Sequence, residues 1–237
     1  MARLDLRGDE TVLDAGCGTG RLTVSLLELL PRGRVVGLDL SENMLRQASA
    51  HLSSLSQTKV DFICANIVQL PFHERIDVVF STASFHWVLD HLHLFQSIVG
   101  ALRPGGWLVA QCGGAGNLAR FRAKIIRLSQ REPFASYLGK FEEPWFYSDV
   151  ETAAKNLSAA GFEEVEVGVE AAPTRFQNAE QFSEFVRTAI VHKHMNLLPT
   201  DTLKRDFLKF LTEQAGSEKP AFELDYWRLN IRARKPA

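Results

Sequence analysis

VLDAGCGTG, residues 12–20, is an apolar run that ends on an acid and then sets glycines at 16, 18 and 20. In a doubly wound sheet the ligand sits at the carboxyl ends of the strands, and the first strand-to-helix turn is where backbone and ligand meet. Glycine there allows positive φ and close approach, while the following helix offers its N-terminal amides to an anion. Arg21 stands where the dinucleotide fingerprint puts its last glycine, so the spacing favours a ligand smaller than a pyrophosphate. Asp39 ends the next apolar run, where a carboxylate can accept from both hydroxyls of a ribose.

Working outward, five apolar runs at 11–16, 34–40, 60–66, 76–82 and 107–113 alternate with helical patterns. They are rich in Val, Ile and Leu without strict alternation, as parallel strands covered on both faces require. Leu22, Leu26, Leu29 and Leu30 recur at helical spacing, Ser41 offers a cap to the helix after it, and Pro104, Gly105 and Gly106 end the helix before the fifth run. After residue 114 the rhythm changes. Helical stretches are expected at 117–130, 149–160, 178–196 and 201–214, a half-exposed strand at 162–170, and a final strand in FELDYWRLNIRAR. The expected fold is α/β: a doubly wound, mostly parallel seven-stranded sheet with an antiparallel last strand and a helical cap. Its expected parts are a Rossmann-like core at 1–116, a cap insertion at 117–147, a core continuation at 148–175, a helical cap insertion at 176–216 and the final strand at 217–237.

The 237 residues are 46% hydrophobic and 23% charged, with a formal net charge of -1, which excludes a disordered chain and argues against nucleic acid as partner. Cys17, Cys64 and Cys112 lie far apart in a glycine loop or apolar strands, the pattern of reduced thiols, so the expected location is cytoplasmic. No apolar run has the length of a membrane span, and MARLDLRGDE is too charged for a signal peptide.

VLDAGCGTG, GLDLSENML, ANIVQLPF, IDVVFSTASFHWV and LRPGG together resemble, in order and spacing, the class I S-adenosylmethionine-dependent methyltransferases. FHW and the later PWFYS are similar to the small-molecule branch that includes trans-aconitate methyltransferase. The resemblance covers about residues 10–165. It implies S-adenosylmethionine as cofactor, with Asp14, Gly16, Gly18 and Gly20 in the loop holding its methionine part. It also implies Asp39 as ribose ligand, Leu40 and Met44 as the wall beside the adenine, Asn66 as acceptor from the adenine amino group with Ile67 stacked on the ring, and Ser81 and Thr82 as the floor next to the transferable methyl. Asn66 departs from the aspartate the family often has there; a neutral acceptor bonds more weakly than a charged one. Only ten residues precede the first strand, where the branch usually carries one or two helices across the cofactor, so the expectation is that 117–147 or a partner closes the site, or that the chain is a truncated form with an open site.

Methyl transfer from a sulfonium is an in-line displacement, for which the protein must align, desolvate and, for some nucleophiles, deprotonate. His86, directly after a strand end, is the candidate for general base or substrate contact; a carboxylate acceptor needs no base, and His86 would then position it. Trp87, Trp145 and Tyr147 are candidates for the substrate pocket, where ring faces can meet a cation. His91/His93 and His192/His194 are spaced i, i+2, which does not converge on a helix, so no metal is expected. Arg120, Arg122, Arg175 and Arg187 are the basic residues placed to clamp a carboxylate. The expected activity is metal-independent methyl transfer to a small molecule at an oxygen, including a carboxylate. The alternatives are C-methylation of a quinone or lipid-like ring, cofactor binding without catalysis, and a dinucleotide-binding module.

Overall fold

The computed structural model describes residues 4–54 and 59–237; the first three residues of the N-terminal stretch read above lie outside the described residues. In chain order the elements are β1 (Thr11–Ala15), α1 (Arg21–Glu28), β2 (Arg34–Asp39), α2 (Glu42–Ser54), β3 (Val60–Cys64), β4 (Ile76–Thr82), α3 (His91–Ala101) and β5 (Leu102–Gly113). There follow α4 (Ala119–Ser129), α5 (Ala135–Leu138), α6 (Val150–Ala159), β6 (Glu163–Ala171), β7 (Thr174–Arg175), α7 (Ala179–Phe185), α8 (His192–Leu197), α9 (Asp201–Gly216), β8 (Glu223–Leu224) and β9 (Trp227–Arg234).

Seven strands form one sheet in the order β3-β2-β1-β4-β5-β9-β6. The pairs among β1 to β5 are parallel and β9 is antiparallel to β5, the expected fold class. Strand order reverses between β1 and β4, the switch point where the loops diverge and leave a crevice. Both sheet faces are covered, which explains the near-continuous apolar strands. Leu13, Val36, Val79 and Leu108 pack with Leu94, Phe95 and Ile98 of α3 and with Ala153 and Leu157 of α6. Val12, Val35, Val78 and Phe80 pack on the other side with Leu26 and Leu27 of α1 and Leu52 of α2. Phe95 is 0% exposed, so its truncation to Ala would cost about 3–5 kcal/mol.

The ends of two elements differ from the sequence expectation. Residues 102 and 103, read as the end of the helix, and Pro104–Gly106, read as its stop, already belong to β5: Ile76 pairs with Leu102 and Val78 with Trp107, so the intervening residues bulge out of the ladder. Pro104, which has no N–H to give, is tolerated in such a bulge. The final strand is shorter than FELDYWRLNIRAR, because Glu223 and Leu224 leave it to pair antiparallel with β7 in a separate two-stranded sheet.

The chain divides into two compact units: Met1–Ala115 with Trp145–Glu170 and Arg228–Ala237, and Gly116–Pro144 with Ala171–Trp227. The second is mainly helical, and its interior is aromatic: Phe182 meets Phe121, Phe176 and Phe222, while Phe134 meets Phe207 and Phe210. No described helix is long and apolar enough to cross a membrane.

Candidate functional site

Apart from the four arginines considered as carboxylate clamps, every candidate site residue named from the sequence falls in the first unit. The glycine loop is the centre of it. Gly16, Gly18 and Gly20 all have left-handed φ, of 79°, 55° and 76°. A Cβ at Gly16 would lie 1.8 Å from Ser84 Oγ, and one at Gly20 would lie 2.8 Å from Leu52 and 3.1 Å from Ala48 of α2. These two glycines let the chain pack on itself. A Cβ at Gly18 would meet nothing within 4 Å, so Gly18 alone of the three turns its bare backbone to open space.

Asp39 closes the loop from β2: its carboxylate accepts from Gly18 N–H and from Ser41 N–H, each at 2.9 Å. One oxygen serves each amide, which leaves the remaining lone pairs for a ligand. Beyond it Leu40 is 73% exposed and Met44, in the first turn of α2, 39%, apolar side chains left outside the core. Asn66 accepts through its side-chain oxygen from Val68 N–H at 3.2 Å, capping the short 3-10 turn Ile67–Gln69, and Ile67 packs onto the core. Ser81 is 1% exposed and donates its hydroxyl to the Ala15 carbonyl at 2.7 Å, tying β4 to β1; Thr82, half-buried, pairs with Gln111 of β5.

Asp14 is 2% exposed and accepts from Thr23 Oγ1 at 2.6 Å. Burial pushes its carboxyl up to about 6, the Thr23 hydroxyl opposes that rise, and the nearby Asp39 charge adds to it. Cys17, in the same loop, is driven up to about 12 by burial and by the Asp14 and Asp39 charges, an inert thiol.

His86 lies in the turn Phe85–Trp87 after β4. Its Nδ1 accepts from Gly113 N–H at 3.3 Å, and burial, then the neighbouring His91, push its pKa down to about 4. A neutral ring that accepts at Nδ1 carries its proton on Nε2, so His86 is built as a donor. The structure brings Trp87, Trp145 and Tyr147 around it: ring centroids are 5.4 Å from His86 to Trp87, 5.7 Å from His86 to Tyr147 and 5.7 Å from Trp87 to Trp145. The arginines read as carboxylate clamps lie in the second unit, where Arg120 pairs with Glu223 and Asp225, Arg122 with Glu143 and Arg187 with Glu184. Arg175 is on β7. Among the described residues no group of three His, Cys, Asp or Glu side chains could hold a metal ion.

Sequence reasoning missed Thr23, Ser84 and Gly113. Thr23 and Ser84 carried a faint signal, a hydroxyl in the first turn of a helix and one just past a strand end. Gly113 carried none, because its contact with His86 spans 27 positions.

Residues 12–106 match a family model described as a methyltransferase domain. Trans-aconitate 2-methyltransferase of Rhodopseudomonas palustris (strain BisB18) is 42% identical over 111 residues, 47% of this chain and 41% of that protein. Malonyl-[acyl-carrier protein] O-methyltransferase of Marinomonas sp. (strain MWYL1) is 34% identical over 139 residues, 58% of this chain and 51% of that one. The matches thus span about half the length of these curated relatives. Among solved structures, Haemonchus contortus phosphoethanolamine N-methyltransferase 2 in complex with S-adenosyl-L-methionine shares the fold with a TM-score of 0.64 at 21% identity, over 98% of this chain and 50% of that one. The glycine loop and the carboxylate at the end of β2 both lie within residues 12–106, the part of the chain that is similar to a methyltransferase domain.

Proposed function

We propose that the protein binds S-adenosylmethionine at the carboxyl ends of β1, β2 and β3 and transfers its methyl group, without a metal, to an oxygen of a small acid, its carboxylate. The observation that carries this is Gly18: internal packing accounts for Gly16 and Gly20, whereas Gly18 keeps a bare left-handed backbone against open space beside the Asp39 carboxylate. The residues present fit the cofactor. Asp39 holds the ribose hydroxyls with the lone pairs its two amide bonds leave. Exposed Leu40 and Met44 would give apolar cover to the adenine, and Ile67 and Asn66 would contribute an apolar face and a polar acceptor to it. Asp14 and the loop glycines take the methionine end.

When bound, S-adenosylmethionine supplies an electrophilic methyl on a sulfonium. The chain's own residues then have only to align and desolvate. His86, neutral and protonated at Nε2, donates to the acceptor carboxylate and fixes its approach; a carboxylate is already deprotonated, so no base is required. Ser81 and Thr82 form the floor, and the Ser81 bond to Ala15 keeps β4 and β1 in register beneath it. Both named relatives support a carboxyl acceptor, one being named for trans-aconitate and the other for a malonyl group as an O-methyltransferase. The test is to incubate the protein with S-adenosylmethionine and a panel of carboxylic acids, phenols and quinones and to measure methyl esters by mass spectrometry. Ester formation with an acid supports the reading. Methylation confined to a ring carbon, or cofactor binding without turnover of any acceptor, would replace it.

A further inference from the structure

We infer that buried His91 is a positioning residue for methyl transfer: its Nε2–H and its ring hold the backbone on both sides of His86, so that His86 presents its own Nε2–H to the acceptor in one fixed direction. This rests on the methyl-transfer reading and adds a residue on which it depends. His91 opens α3 and is 2% exposed. Its Nε2 lies 3.0 Å from the Phe85 carbonyl oxygen. A carbonyl only accepts, so Nε2 carries the ring's proton and donates it. The Val88 N–H, at 2.9 Å, donates to the same oxygen and closes the turn Phe85–Trp87. The carbonyl of His86 itself accepts from the Phe146 N–H at 2.9 Å. The Phe146 ring in turn meets the His91 ring edge-on, at 4.8 Å and 84°. The two peptide groups that flank the His86 Cα are therefore both fixed through His91, one by its N–H and one by its ring.

Packing alone does not account for a histidine at this place. Its Nδ1 is buried and has no hydrogen-bond partner among the described residues. With Nε2 protonated that nitrogen is a bare acceptor, and burial keeps the ring neutral by lowering its pKa, against the Phe85 bond and the Asp90 charge. A buried acceptor without a donor is a net cost to the fold. Phenylalanine would keep the ring contacts with Phe95, at 5.7 Å, and with Phe146, and would avoid that cost. What phenylalanine lacks is the donor to Phe85. The flanking peptide planes set the direction of the His86 Cα–Cβ bond, and the Gly113 N–H then sets the ring about it by meeting Nδ1 at 3.3 Å. That contact is at the long end for a hydrogen bond, so a small rotation of the turn breaks it, and with it the preference for a proton on Nε2. Alignment is most of what the chain contributes to this reaction, and a misplacement of about 1 Å costs on the order of 100-fold in rate.

The tautomer of His86 is read from the NMR shifts of its imidazole nitrogens, assigned by their absence in His86→Gln, and needs neither cofactor nor acceptor. The parent is expected to show the Nε2–H form alone. His91→Phe keeps the ring and loses the donor. The expected result is a mixture of the two His86 tautomers and a kcat lowered about tenfold to 100-fold, with S-adenosylmethionine affinity unchanged by calorimetry. In His91→Gln the amide nitrogen falls near the place of Nε2, so the single tautomer and most of kcat return; in His91→Asn, whose amide stops short of Phe85, they do not. A single His86 tautomer in His91→Phe, parental turnover by that variant, or the same spectrum in His91→Gln as in His91→Asn would overturn the inference. Should His91→Phe not fold, the Gln and Asn variants decide by themselves. A protein that shows the expected tautomers throughout but methylates no acceptor overturns the methyl-transfer reading separately.

Discussion

Replacing Asp14 by Asn should stabilise the protein, and only above a defined pH. Asp14 is 2% exposed, and burial, only partly offset by the Thr23 hydroxyl, raises its carboxyl from an ordinary 3.8 to about 6. A folded value above the unfolded one means that folding favours the protonated form. The stability this group contributes is therefore complete below about 3.8 and is lost as pH rises through about 6. A difference of about 2 in pKa corresponds to roughly 3 kcal/mol. Asn cannot ionise, yet its side-chain oxygen still accepts from Thr23 Oγ1. Urea unfolding of both proteins at pH 4 and pH 7.5 should give equal stabilities at the lower pH and a variant more stable by about 3 kcal/mol at the higher. A variant less stable at pH 7.5, or a difference that does not change with pH, would refute the reasoning. The same substitution should weaken S-adenosylmethionine binding, since a carboxylate kept at such a cost belongs to a site that uses its charge.

Gly16→Ala, whose Cβ would overlap Ser84, should lower stability by more than about 2 kcal/mol, whereas Gly18→Ala, with open space, should cost only the left-handed strain of about 1–2 kcal/mol while impairing cofactor binding; paired urea melts and titrations read both. Asp39→Ala should weaken S-adenosylmethionine binding by about 1–3 kcal/mol, and unchanged affinity in a calorimetric titration would remove the ribose assignment. With its pKa pushed down to about 4, His86 stays neutral from pH 6 to 8, so the pH dependence of kcat/KM should show no limb near 6.5; such a limb, abolished in His86→Gln, would make His86 a titrating base instead of a fixed donor.

The sheet and most of the loop residues were legible because their signals are local. Apolar runs, a glycine turn and an acid at a strand end follow from backbone physics over a few positions. The rings of His86, Trp87, Trp145 and Tyr147 lie near one another, a proximity between 85–87 and 145–147 that sequence separation hides. What local sequence could not express was which glycines pack inside the fold and which faces open space; that depends on Ser84 and on Leu52 and Ala48, brought in from other elements. The tautomer of His86 was equally hidden, because the amide of Gly113 sets it. The arginines misled for the opposite reason. Read as carboxylate clamps, Arg120 and Arg122 instead pair with acids distant in sequence, Glu223 and Glu143.

The central claim is that the loop around Gly18 and Asp39 is a S-adenosylmethionine site and not a dinucleotide site. Calorimetric titration of the chain with S-adenosylmethionine and, separately, with NAD tests it most directly. The account predicts saturable one-to-one binding of S-adenosylmethionine with a Kd in the micromolar range, weakened by about 1–3 kcal/mol in Asp39→Ala, and no heat with NAD. Binding of NAD, or no binding of S-adenosylmethionine by the folded protein, would contradict it.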